Sequence, residues 1–573
     1  MIGAAVLATA LAKPLNIVTL DVARRFHSLS TLRYLIRCCE LAKVPYLQLH
    51  LTDDQNWMFP SKLVLGVEKL NQHRKPAYSV SELRELQSFG RKRGVTLIPE
   101  IDLPGHSSIL VRFDPKMFGI NGRGNCINFA SPEVREFSKA LLKEVSEVFI
   151  DSPYIHIGGD EANYSELTLD PAFSHQKAKQ GDSWTTGQSF VDFVSSLCET
   201  VIQCRKTPLL WEGFAPSEYA KSRIPKKAVV VAWEGDYYPA EQLVRDGFSV
   251  INAGWDPFYV VNHYPYDSYT LAPLPILFGA DRHKFGTFRA NKVPLTTSRG
   301  SMLCWWEGWE WNAQRYLPLR IMAFGHSGAR AEYGSFLKTS MARLSKLDRE
   351  VFPFNVTSQG KCELAPDCFT KSLSLEVSPL DPKVQIAMRT DGEVPTIGDL
   401  ARTVTLNKTT VIAIQAFKNG RALGETMFKQ FSKVSEKRNL AFGATVRATT
   451  VEDPQFPLSC LTDGVADRVG GFWLGYPNPA TVTVELDRAQ VANRVEVVPF
   501  WASGDRTRYK VSVQSETGPW EQVGDSSERS GVLDSNGEGF EFRERGVRRV
   551  RLDVSSSTQY PASIARIHEI RLF

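Results

Sequence analysis

From residue 15 to about 350 the chain alternates between short apolar runs and longer segments with helical periodicity. Leu15–Val22, Tyr46–Thr52, Val95–Leu103, Tyr154–Glu161, Pro208–Phe214, Ala228–Glu234, Phe248–Ala253 and Ser301–Glu307 read as buried strands. Leu29–Val44, Val80–Gly94, Ser131–Phe149, Gly187–Lys206 and Trp311–Gly328 read as helices between or after them. Such alternation predicts a parallel sheet, and eight strands predict a closed (β/α)8 TIM barrel over residues 1–354. After Phe354 the pattern changes to short β segments punctuated by Pro, Gly and Asp, among them Leu373–Val377, Val384–Met388, Thr403–Leu406 and Val411–Phe417. They predict a small Ig-like β-sandwich over 355–433. The charged stretch Ser432–Arg438 reads as a linker. A second β-rich region, 434–573, has clear strands at Val482–Leu486, Arg494–Pro499, Tyr509–Ser515 and Arg548–Val554.

At 573 residues several domains are expected, because single cores stop growing at about 250–300 residues. A net charge of +5 without a basic run gives no track for nucleic acid, and no stretch of about 20 apolar residues is present to span a membrane. Residues 1–13 are apolar but lack a basic start, and read as a truncated end rather than an intact signal peptide. The nine cysteines are scattered without a zinc pattern, and only Cys362 and Cys368 are placed to close a small disulfide loop. Twelve tryptophans are somewhat many, as suits rings that stack on sugars, although core packing explains most aromatics.

Polar residues gather where a barrel enzyme needs them, at the C-terminal strand ends. Asp21 and Arg24 end the first strand, His50, Asp53 and Asp54 the second, and Glu100, Asp102 and His106 the third. Asp160-Glu161 end the fourth after two glycines, which free the backbone to turn both carboxylates toward one pocket. Trp211-Glu212, Trp233-Glu234, Trp255 with Tyr259, and Trp305-Trp306-Glu307 follow. For each there is a plainer reading: an Arg24–Asp21 pair, a structural His106, a Trp233 that packs the barrel.

Five motifs in order, Leu20-Asp-Val-Ala-Arg24, His50-Leu-Thr-Asp-Asp-Gln55, Pro99-Glu-Ile-Asp-Leu-Pro-Gly-His106, His156-Ile-Gly-Gly-Asp-Glu161 and Trp305-Trp-Glu307, resemble those of family-20 glycoside hydrolases, the β-N-acetylhexosaminidases. The resemblance implies retaining hydrolysis without a carboxylate nucleophile: the substrate's acetamido carbonyl attacks its own anomeric carbon and forms an oxazolinium ion. Glu161 is then the acid and base, and Asp160 orients the acetamido N–H. Tyr259 binds the acetamido oxygen, Arg24 the 3- and 4-hydroxyls, and Glu307 sugar hydroxyls, while Trp211, Trp233 and Trp305 line the pocket. Asp53 and His106 form a relay to Glu161. No cofactor is implied for catalysis.

Substrates implied are chitooligosaccharides, N- or O-glycans, or milk- or mucin-type oligosaccharides, with a secreted, periplasmic or cell-surface location. The alternatives are an enzyme of the lacto-N-biosidase or poly-β-1,6-GlcNAc type, or a catalytically silent glycan-binding protein. Three departures bear on this. Val261 stands where many members have an acid, which leaves gluco against galacto preference open; Arg25 stands where histidine often follows the arginine; and the α/β domain that usually precedes the barrel is not in these residues. Residues 370–430 resemble the sandwich after the barrel in some chitobiases, through Arg389-Thr-Asp-Gly392 and Gly424. Leu461-Thr-Asp-Gly464, Phe472-Trp-Leu474, Arg508–Ser515 and Ala565–Ile570 resemble discoidin-like, family-32 carbohydrate-binding modules. That resemblance implies a galactose-binding-like jelly roll with a structural Ca2+ in the Asp463 loop. Trp473 and Trp501 are trial sugar contacts, with packing into the core an equal reading.

Overall fold

A computed structural model describes residues 14–261, 272–281, 284–285, 293–294, 298–326, 332–468, 471–501, 507–528, 533–557 and 564–573. The segment 1–13, expected to be a truncated end, lies outside them. All eight expected strands form: β1 (Ile17–Asp21), β2 (Tyr46–His50), β3 (Thr96–Glu100), β4 (Tyr154–His156), β5 (Thr207–Trp211), β6 (Val229–Ala232), β7 (Ser249–Asn252) and β8 (Met302–Trp306). They are apolar and almost wholly buried, as strands covered on both faces must be.

The nine-stranded sheet runs β8-β1-β2-β3-β4-β5-β6-β7 with Tyr259–Val261 as the strand next to β8, and the pairings from β1 to β7 are parallel. Its register aligns the functional ends: Asp21 lies opposite His50, His50 opposite Glu100, and Glu100 opposite His156. The sheet also curls. The Asn252 amide donates to Gly300 O at 3.0 Å, and the Ile17 amide donates to Ser301 O at 3.0 Å, so residues 300–301 link β7 to β1.

The expected helices are α1 (Leu29–Ala42), α2 (Val80–Arg91), α3 (Pro132–Val148), α4 (Thr186–Gln203) and α5 (Glu310–His326). Capping boxes start two of them, Ser79 with Glu82 and Thr185 with Gln188, each satisfying two backbone donors that a helix start leaves open. A further helix, α6 (Tyr333–Val351), is not expected from the sequence. Its start has no Ser, Thr or Asp cap, and Glu332 instead accepts from the Gly334 and Ser335 amides. A polar residue, Ser340, interrupts its buried stripe of Phe336, Leu344, Leu347 and Val351.

Two compact units divide the chain. The first holds β1 to β7, with β8 as far as Cys304, and the second holds α1, α5, α6 and both β-rich regions. In the second unit, Phe354–Gln359, Leu373–Pro379 and Thr403–Leu406 form a three-stranded sheet. Cys368–Phe369, Arg421–Lys433, Thr410–Lys418 and Gln385–Arg389 form a four-stranded one. Further on, an eight-stranded sheet is built around two long strands, Ala480–Pro499 and Glu538–Ser557. The sequence shows the first of these as two pieces because the pairing breaks register between Glu485 and Gln490 and again between Ala492 and Arg494.

Two expectations are corrected here. Cys362 and Cys368 are free thiols. The Cys368 sulfur lies 3.2 Å from Arg468 Nη1, while the Cys362 thiol bonds Glu436, so the two side chains serve different partners. Trp473 is fully buried in the core of the last sheet, among Val482, Val495 and Ile567, and presents no face to a sugar.

Candidate active site

The Asp160-Glu161 turn is shaped by glycines. Gly158 adopts φ 72°, and a Cβ there would stand 1.8 Å from Asp102 Oδ1. Across from it, a Cβ on Gly213 would stand 2.1 Å from Gly159 O and 2.7 Å from Asp160 Cα, so the chain just after β5 packs directly on this turn. Glu161 itself has φ 45° and His106 has φ 46°. Positive φ in residues with a Cβ is strained, and here it falls on the two side chains that meet. His106 Nε2 lies 3.2 Å from Glu161 Oε2 and 4.0 Å from Asp160 Oδ2.

Behind His106 the charges alternate. Its Nδ1 is 3.7 Å from Asp53 Oδ2, the same oxygen that meets Arg24 Nη2 at 2.8 Å and His50 Nε2 at 2.9 Å. Arg24 therefore does not serve Asp21 alone, although its Nη1 also donates to Asp21 Oδ2 at 3.2 Å. Asp21 further accepts from the Ala23 and Arg24 amides and so fixes the turn that presents Arg24. His50 Nδ1 lies 3.1 Å from Glu100 Oε2. Glu100 accepts from Gln48 on that oxygen at 2.8 Å and from the Trp211 indole on the other at 2.6 Å.

These contacts set proton affinities. Burial works against an ionised Asp53, yet Arg24, His106 and His50 hold its carboxyl well below the usual range. Burial likewise opposes a charged His106, but its bonds to Asp53 and Glu161 hold its pKa well above the ordinary value. The bond from His106 lowers Glu161. Asp160 is pushed the other way, to about 6, by burial and the neighbouring Glu161, with His106 partly offsetting them. Its Oδ1 is buried without a hydrogen-bond partner, which leaves it open to a donor from a ligand.

Other expected residues stand as follows. The Trp211 ring lies over His156, with centroids 4.7 Å apart, and its N–H is committed to Glu100. Trp233 donates to Glu212 O at 2.9 Å and stacks on Trp255 at 6.0 Å. Tyr259, Trp305 and Glu307 belong to the second unit. There, Tyr259 is buried with its ring 6.2 Å from that of Trp306, and Trp305 is buried beneath Gly308, where a Cβ would stand 2.1 Å from the indole. Glu307 adopts φ 59°. Among the strand-end residues, His50, Glu100, Asp102 and Glu212 receive no role from sequence alone. Their signal is a polar side chain in an otherwise apolar strand, as in Ile98-Pro99-Glu100-Ile101. Asp102 accepts from the Gly159 amide at 3.2 Å, and burial and Asp160 push its pKa well up.

Some of these groups lie close enough to share a metal, such as His50 with Glu100 and Asp102, or Asp53 with Asp54 and His106. Their charges are already balanced by imidazoles and by Arg24, which fits proton handling better than a cation. In the last β region the Asp463 loop does not fit Ca2+. Arg468 Nη2 meets Asp463 Oδ2 at 2.8 Å, and the Val465 amide donates to Oδ1 at 3.0 Å. Arg468 thus neutralises the carboxylate that the resemblance offers to an ion.

Residues 17–270 match the model of the glycosyl hydrolase family 20 catalytic domain. A probable beta-hexosaminidase of Arthroderma benhamiae is 26% identical over 267 residues, 43% of this chain and 43% of that protein. A beta-hexosaminidase of Vibrio furnissii is 27% identical over 261 residues, 40% of this chain and 41% of that protein. The matched part is thus less than half the length of either relative. The solved beta-N-acetylhexosaminidase from Bacteroides fragilis shares the fold, with a TM-score of 0.50 and 21% identity over 59% of this chain and 71% of that one. The strand-end residues from Asp21 to Tyr259 fall inside the matched segment, whereas Trp305 and Glu307 lie beyond it, and residues 17–270 are thus similar to a glycosyl hydrolase family 20 catalytic domain.

Proposed function

We propose that the protein is an exo-β-N-acetylhexosaminidase that releases terminal β-linked GlcNAc or GalNAc with retention, through an oxazolinium intermediate. The observation that supports this most is the division of labour in one carboxylate pair. Asp160 keeps a buried Oδ1 without a hydrogen-bond partner, and Glu161, about half exposed, is bonded to a cationic His106.

Asp160, ionised above about pH 6, accepts the acetamido N–H and stabilises the charge that grows on that nitrogen as its carbonyl attacks C1. Glu161 and His106 hold one proton between them across 3.2 Å. When substrate excludes water, the proton passes from His106 Nε2 to Glu161 Oε2 and on to the leaving oxygen. Glu161 then takes a proton from water as it attacks the oxazolinium carbon. No nucleophilic side chain and no metal is required. Arg24, held by Asp21 and Asp53, presents a fixed fork to sugar hydroxyls. Roles for Tyr259, Trp305 and Glu307 rest on the family resemblance alone.

On this reading the curled sheet is a closed (β/α)8 barrel, and the last β region is a discoidin-like module that keeps the enzyme near glycans outside the cell. A series of aryl glycosides with N-acetyl, N-fluoroacetyl and N-trifluoroacetyl groups tests the mechanism. Fluorine weakens the carbonyl as a nucleophile, so the rate should fall steeply along the series. A flat series would point to a carboxylate nucleophile and overturn the proposal.

A further inference from the structure

Glu100 lies deep in the first unit, at the end of β3, and its partners Gln48, His50, His156 and Trp211 are themselves buried. Each of its oxygens nevertheless leads to a different part of the site. Oε1 accepts from the Trp211 indole at 2.6 Å, and Oε2 accepts from Gln48 at 2.8 Å and faces His50 Nδ1 at 3.1 Å. His50 is thus clamped between two carboxylates, because its Nε2 is 2.9 Å from Asp53 Oδ2. Asp53 in turn faces His106, which bonds Glu161. We propose that Glu100 is a positioning residue with two duties, holding the Trp211 wall through Oε1 and tuning the proton held between His106 and Glu161 through Oε2, His50 and Asp53. This rests on Glu161 as acid and base.

The physical argument is one of paired charges. A buried imidazolium persists only beside anions, and a buried carboxylate only beside cations or donors. Glu100 keeps His50 charged, and burial alone would have removed that charge. The His50 cation then shares Asp53 with Arg24 and His106. Without it, Asp53 would draw harder on the His106 proton. The other ionisable groups facing Glu100 are Asp102 on its own strand end, His156 on β4, Cys304 on β8 and, farther off, Asp160. Those facing Glu161 are His106, Arg24, Asp53, Asp160 and Tyr237. Those facing His106 are Asp53, Asp54, Asp102, Asp160, Glu161 and Arg24. Among the described residues facing Glu100, His50 is in contact with Asp53, while Asp102 acts on His106 directly, which is why the His50 variant is needed to assign the route.

Glu100→Gln separates the two duties. The amide keeps the size of the side chain, and its oxygen still accepts from Trp211, but it no longer holds His50 charged. The 15N titration of the His106 imidazole, read without substrate, should move to higher pH by on the order of half a unit or more. The alkaline limb of the kcat profile on an aryl N-acetylglucosaminide should move in the same direction. KM should change by less than about threefold, whereas Trp211→Phe should raise KM and leave both pH readings in place. His50→Asn removes the same link from the other side and should reproduce the shift, which covers a Glu100→Gln protein that does not fold. Unmoved His106 titrations in both variants would overturn the proposal. Because that titration needs no turnover, a wild type inactive on N-acetylhexosaminides would count against the proposed function and leave the coupling test standing.

Discussion

His106 Nε2 stands 3.2 Å from Glu161 Oε2, while the other ring nitrogen faces the carboxylate of Asp53, 3.7 Å away. One imidazole therefore connects a buried carboxylate to a half-exposed acid. If the proton for the leaving group is held there, His106→Ala should lower kcat by roughly 10²- to 10³-fold on substrates whose leaving group needs protonation. Activated aryl leaving groups should suffer much less, and comparing the two by steady-state kinetics checks this.

Asp160 sets the acid limb. Burial and Glu161 raise its pKa to about 6, and only its ionised form accepts the acetamido N–H. Activity should therefore fall as pH drops through about 6, measured as kcat/KM against pH. Asp160→Asn should abolish that limb and lower the plateau by about 10²-fold or more, since a charge stabilised only in the transition state is lost.

Glu212 is buried on β5's edge of the site and accepts from the Gly235 amide at 2.6 Å, and its other oxygen has no hydrogen-bond partner. Burial, partly offset by its backbone bonds, raises its pKa to about 8 from an ordinary 4.5. The folded state thus holds a proton that the unfolded chain releases, and stability falls between pH 4.5 and 8. Glu212→Gln carries no such penalty. Its thermal midpoint should match that of the wild type near pH 4 and exceed it increasingly toward pH 8, where the gain approaches a few kcal/mol. Melting curves across that range give the answer.

Arg468 is held by Asp463, by Asp367 Oδ1 at 2.8 Å and by the Cys368 sulfur. Arg468→Met leaves two carboxylates near one another without their cation, and should lower stability by roughly 3–5 kcal/mol. Neither Ca2+ nor a chelator should shift the wild-type melting temperature. A chelator-induced drop of several degrees would show that the loop takes a metal despite the guanidinium.

Much of this arrangement is legible in the amino-acid order. Strand ends were readable because a buried strand has few polar residues and a barrel puts them to use. Asp53, His106, Asp160 and Glu161 therefore stand out, and the structure brings them together. The inner partners were not readable in the same way. That Glu100 serves both Trp211 and His50 depends on the parallel register, which sets His50 opposite Glu100 and Glu100 opposite His156. The Cys362–Cys368 loop looked closable by spacing, yet spacing says nothing of an Arg468 arriving from about a hundred residues on. Trp473 looked like a sugar platform only by residue type, and its burial is a property of the packed sheet. Helix α6 has a weak signal in the amino-acid order because Glu332, rather than a conventional cap, begins it.

The most direct test compares aryl β-N-acetylglucosaminide with the aryl β-glucoside that lacks the acetamido group, using wild type and Glu161→Gln. The account predicts that wild type cleaves only the first, and that the variant loses about 10²-fold or more on it when the leaving group needs a proton. Cleavage of both glycosides at similar rates, or a variant as active as the wild type, would contradict it.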